Sequence, residues 1–107
     1  LNDEQFVEAS RAFAQRILKS PAKSFPDRLD WAFELATGRP ADAVRKKVLK
    51  DAHSYQNTIF QKEPERAEKL LKIGESPRDS AIPAQEHATW TVLASMILNL
   101  DETLNRE

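Results

Sequence analysis

Two histidines, a run of basic side chains and seventeen carboxylates are the groups in this 107-residue sequence that could do chemistry. His53 and His87 lie far apart and belong to no HExxH or other short ligand motif. A metal site would need third and fourth ligands converging from elsewhere. Both read as partly exposed helix residues. Met96 could join a histidine in ligating haem, but it falls on an apolar helical stripe and reads as core. Nucleophilic catalysis needs an activated Ser, Thr or Lys beside a base and an oxyanion site. The sequence has no GxSxG, no SxxK and no glycine-rich phosphate loop; its two glycines, Gly38 and Gly74, are isolated and suit helix ends. Among so many carboxylates, a pair such as Asp101-Glu102 carries little information. The reading is a non-enzyme with no cofactor and no metal.

The basic residues are more concentrated. Arg45, Lys46, Lys47 and Lys50, with Arg39 just before them, follow a short Gly-containing turn, the outline of a helix-turn-helix recognition helix. Arg39, Arg45, Lys46 and Lys50 are the residues that would contact phosphate. Against this, they spread over more than half the helix circumference, and sixteen basic residues against seventeen acidic ones leave a net charge of −1. No whole-surface field attracts nucleic acid or an anionic membrane. A solvated helix face is the preferred account, with nucleic-acid binding as the alternative.

These groups must be positioned by a small frame. A length of 107 residues allows one domain with one core. A chain 40% hydrophobic and 31% charged, with two glycines, is globular and helix-rich rather than disordered. The absence of cysteine excludes disulfides, thiolate zinc sites, covalent c-type haem and cysteine nucleophiles. No apolar run approaches the ~18 residues needed to span a bilayer. The chain begins at Leu1, which suggests a processed protein or a fragment of a longer one.

The apolar spacing predicts an all-α, compact bundle of four to five helices. The first runs from about Asp3 to Lys19, with Asn2 and Gln5 as a weak capping box and Phe6, Val7, Ala9, Phe13, Ala14, Ile17 and Leu18 inward. The second starts at Ser24, whose hydroxyl can cap Asp27, and stops at Gly38-Arg39-Pro40. So short a link implies that helices two and three pack as neighbours. Helix three, roughly 41–62, has a seam at Val44, Val48, Ala52, Tyr55 and Ile59. Helix four runs from Pro64 to Ile73, is weakly anchored, and carries Glu65–Lys69 and Glu68–Lys72 pairs. Residues 74–83, GESPRDSAIP, form an ordered connection or a mobile loop. The last helix, 84–106, is the organising element, with one apolar stripe at Ala88, Val92, Leu93, Met96, Ile97, Leu100 and Leu104. Trp90 sits off that stripe, either packed under the 74–83 connection or exposed as an anchor for a partner. Trp31 has the same two readings.

Three blocks carry a resemblance: Leu1-Asn2-Asp3 with Phe6-Val7-Glu8-Ala9-Ser10-Arg11; Asp27-Arg28-Leu29-Asp30, Ala32-Phe33, Leu35 and Gly38-Arg39-Pro40; and Trp90-Thr91, Ala94 and Leu98 to Leu104, closing at Arg106-Glu107. In order and spacing they resemble the C-terminal planctomycete-type domain of unknown function that ends large secreted, cytochrome c-associated proteins. The resemblance implies an extracytoplasmic module with other domains upstream, and it supplies no catalytic residue. The expected function is therefore structural or docking. The partner would be the upstream domains of the same protein or another protein, met through Trp90 and the Asn99, Asp101 and Arg106 end of the last helix.

Overall fold

The structure, a computed structural model, describes residues 3–105, with side chains as far as Leu100. Five helices follow one another: α1 (Glu4–Lys19), α2 (Phe25–Thr37), α3 (Ala43–Lys62), α4 (Pro64–Leu71) and α5 (Ala84–Asn105), with no strand among the described residues. The all-α bundle is as the spacing predicts. No helix among the described residues is long and apolar enough to cross a membrane.

Local chemistry sets the helix ends. Asp3 caps α1, its carboxylate accepting from the Gln5 N–H at 2.9 Å, a role the sequence reading gave to Asn2. Ser24 caps α2 through the Asp27 N–H at 3.2 Å. Asp42 caps α3 through the Arg45 N–H at 2.8 Å, so this helix starts at Ala43 rather than Ala41. Gly38, at φ 84°, ends α2 in the left-handed conformation that its missing Cβ permits.

α5 is the hub, packing against each of the other four helices. The single apolar stripe expected for it is too narrow a description. Val92 and Met96 are half-buried, whereas His87, Thr89, Trp90, Thr91 and Ser95 are buried along with Ala88, Leu93, Ala94 and Ile97. From His87 to Thr91 the helix is enclosed around its whole circumference. Its hydroxyls tolerate this by bonding back within the helix: Thr89 donates to the Gln85 carbonyl and Thr91 to that of His87, both at 2.8 Å, and Ser95 to that of Val92 at 2.6 Å. A second cluster of Phe60, Ala67, Leu71 and Ala88 anchors α4, more firmly than its sparse apolar content suggests.

α3 turns inward a face that shares only Ala52, packed half-buried against the core, and half-buried Ile59 with the expected seam. Leu49 and Phe60 are buried, while Val44, Val48 and Tyr55 are 73%, 52% and 67% exposed. The inward face is rotated by about one residue, or about 100°. Both faces carry apolar side chains, and the position of α5 decides between them. Nor do α2 and α3 pack closely along their lengths. Each lies against α5, and side chains bridge the gap: Asp30 meets Lys46 at 3.2 Å, and Phe25 meets His53 edge-on with ring centres 5.0 Å apart.

The 72–83 connection is fastened rather than loose. One polar stripe of α1 (Glu8, Arg11, Gln15 and Lys19, at helical spacing) holds it. Arg11, 2% exposed, donates from Nε to the Ile73 carbonyl at 2.7 Å and from Nη2 to that of Ser76 at 3.2 Å. The Ser76 hydroxyl donates to Glu8, the Asp79 N–H to Gln15 Oε1, and Lys19 pairs with Asp79 at 3.0 Å. Arg78 binds the Glu68 carboxylate through two nitrogens at 2.7 and 3.2 Å, with Lys72 a lesser electrostatic partner of the same carboxylate. α4 stops at Leu71, two residues early, and Gly74 is not its cap: at φ 84° it lies against Glu8. His87, fully buried rather than partly exposed, donates from Nε2 to the Arg11 carbonyl at 3.2 Å, leaving Nδ1 unpartnered.

This junction can be tested at its glycine and at its histidine. A Cβ at Gly74 would fall 2.6 Å from Glu8 Oε1 and 2.7 Å from Glu8 Cβ, while one at Gly38 meets nothing within 4 Å. Gly38→Ala should cost about 1 kcal/mol from backbone strain alone, and Gly74→Ala about 2 kcal/mol or more once the clash is added. Equal urea midpoints for the two variants would contradict this. Burial, reinforced by Arg78 and Arg11, holds the His87 imidazole below its ordinary 6.5, outweighing the Arg11 carbonyl and Asp79, which act the other way. The folded protein therefore resists a proton that the unfolded chain accepts as pH falls through 6.5, and stability present above that value declines below it. Urea midpoints at pH 7.5 and 5.5 should show the loss in the wild type and a smaller loss in His87→Gln.

Candidate functional site

Because α2 and α3 are splayed across α5, a cleft of about 600 Å³ opens between them. Its size is that of small-ligand and peptide-anchor sites, roughly 300–1,000 Å³. Three aromatic rings form its floor. Trp90 lies 5.5 Å from Phe25 and 5.9 Å from His53, centre to centre, in tilted and edge-on contacts. At 1% exposure Trp90 is packed, against α2 and α3, and is not an exposed anchor.

The walls are polar and internally held. On the α2 side, Arg28 donates from Nη1 to Glu86 of α5 at 2.9 Å and from Nε to the Ala22 carbonyl at 3.3 Å. Its side chain is only 17% exposed, so the pair works at lower dielectric than a free surface pair. On the far side, Gln85 Nε2 donates to Asn57 Oδ1 at 2.9 Å, tying α5 to α3. Lys50, His53, Ser54 and Asn57 line the α3 wall at i, i+3, i+4 and i+7, one continuous polar stripe. Burial pushes the His53 imidazole below its ordinary 6.5; the Glu86 carboxylate opposes this and the Arg28 guanidinium reinforces it. At neutral pH the ring therefore presents one donor and one acceptor.

The arrangement suits binding. Among the described residues no hydrogen bond joins Ser54 to His53 or to Lys50. Among the described residues no group of three or more His, Asp or Glu side chains could hold a metal ion.

The structure divides the residues singled out from sequence. Trp90 lies in the floor of the cleft. Asn99 is exposed, nine residues further along α5 and so about 14 Å away. The Asp101 side chain and Arg106 lie outside the described residues. The basic cluster does not act as one face. Lys50 belongs to the cleft, while Arg39 and Arg45 line a separate hollow at the start of α3. Arg45 pairs with Asp42, Lys46 with Asp30 and Lys47 with Asp51. Sequence reasoning passed over Phe25, Arg28, Asn57 and Glu86 as site residues and weighed His53 only as a metal or haem ligand. The α3 stripe was the one signal available, and the cations interleaved with it masked it.

Comparison with protein-family models, curated proteins and solved structures finds no match to this chain.

The charges around His53 give a directional test. Glu86→Gln removes the group that favours the protonated ring, so the His53 pKa, followed by NMR of the ring protons, should fall further below 6.5. Arg28→Met should raise it. A shift in the opposite sense for either variant would refute this placement of charges.

Proposed function

We propose that the chain is a non-catalytic helical docking module of a larger extracytoplasmic protein, and that it receives its partner in the α2–α3–α5 cleft. The observation that carries this reading is the pre-organised character of the cleft. Arg28–Glu86 and Asn57–Gln85 fix the walls, and packed aromatic rings fix the floor. A site already ordered loses little conformational freedom on binding. The extracytoplasmic setting and the upstream partner rest on the sequence resemblance alone. The pairing of Arg45, Lys46 and Lys47 with neighbouring carboxylates weakens the case for a phosphate-binding face.

The reading is tested by thermal melting of this chain with the upstream region of its parent protein added as a separate polypeptide. At a hundredfold excess over the dissociation constant, binding should raise the melting temperature by about 10 °C. Ser54→Trp, which fills the cleft from an exposed helix position, should abolish the rise while leaving the free chain folded by circular dichroism. An unchanged melting temperature in the wild type, or a full rise in Ser54→Trp, would sink the proposal.

A further inference from the structure

Resting on the docking reading, a count of donors and acceptors in the cleft indicates what the partner must present. Among the described residues Glu86 is the only carboxylate lining the cleft, and Arg28 occupies it. Lys50 has no ion pair among the described residues, although Lys46 and Lys47, its neighbours on α3, each have one. The cleft therefore keeps one uncompensated positive charge at its rim. The hydrogen-bonding groups lean the same way. Asn57 accepts from Gln85 through its oxygen, which leaves its NH₂ to donate. The Ser54 hydroxyl and the His53 ring have no hydrogen bond to protein among the described residues, and each can donate. Along a single face of α3, four successive side chains thus offer donors, with Lys50 as the charged member. Beneath them lies the half-buried ring of Phe25, backed by the buried Trp90.

We infer that the cleft takes an acidic peptide segment: one Asp or Glu carboxylate, bound by Lys50 and the neighbouring α3 donors, next to an apolar side chain seated against Phe25. Charge complementarity selects the carboxylate, and the mixed wall and limited volume suit a short segment rather than the face of a whole helix. A basic segment would place its cation against Lys50 and Arg28, and an uncharged one would leave Lys50 without a partner.

The test uses terminally blocked tetrapeptides in which a single Glu, Gln or Lys follows a Leu, titrated into the full chain and followed by amide NMR shifts and the Trp90 indole signal. The Glu peptide should give saturable shifts at His53, Ser54, Asn57 and Trp90. The Gln peptide should bind about fivefold more weakly, and the Lys peptide should give no saturable shift. Lys50→Glu should lose the preference for Glu. Lys47→Glu, the same charge change at a position outside the cleft, should keep it. Equal binding of the Glu and Gln peptides would overturn the acidic specificity and leave the cleft as a docking site. Equal losses in Lys50→Glu and Lys47→Glu would overturn it too, by tracing the preference to net charge. Acetate or inorganic phosphate alone giving the same shifts at the same concentrations would overturn the peptide assignment in favour of a free anion. No shift with any peptide would also overturn it, while the titration with the upstream region judges the docking reading separately.

Discussion

A helix enclosed by protein on every side has no water to satisfy its side chains, and α5 from His87 to Thr91 is such a helix. The fold depends on how it meets this constraint. Its hydroxyls turn back onto carbonyls three or four residues earlier, and His87 reaches across to the backbone of α1. With all of these polar atoms but His87 Nδ1 partnered, the segment from His87 to Thr91 is buried on all faces, and four helices share one partner. Buried Arg11 completes the arrangement from the other side. Its guanidinium holds the connection that delivers α5, and its carbonyl receives His87. An apolar side chain at position 11 would leave the Ile73 and Ser76 carbonyls unpaired, the costly asymmetry of buried hydrogen bonds.

The cleft is a by-product of the same arrangement. With α5 occupying the centre, α2 and α3 cannot close on each other, and the space between them is filled only as far as Phe25, His53 and Trp90 reach. Above the rings the gap stays open and acquires polar walls. Binding geometry here comes from a packing order in which the last helix in sequence is the first in contacts.

The sequence makes the helices and most of their ends legible, because caps and left-handed glycines act over three or four residues. Ser24, Gly38 and Pro64 are read correctly on those grounds. The central place of the last helix is legible too, from the length of its apolar spacing. Its complete burial is not, since threonine, serine and histidine look like a solvent face until their bonds are seen. The face of α3 is misread because Val44 and Val48 compete with Leu49 at nearly the same period, and only the position of α5 separates them. The site is least legible. Arg28 and Glu86, or Asn57 and Gln85, are distant in sequence, and no local pattern announces that they meet.

The grip of Arg11 on Ile73 and Ser76 spans more than sixty positions of the chain. During synthesis, α1 emerges before α5, with a guanidinium that as yet has nothing to hold and an apolar face still lacking its main cover. Both partners lie in the last third of the chain. The frame can form only when α5 has left the ribosome, so the domain assembles late and as a whole, through contacts distant in sequence. Until then the first helix is a surface that chaperones can recognise.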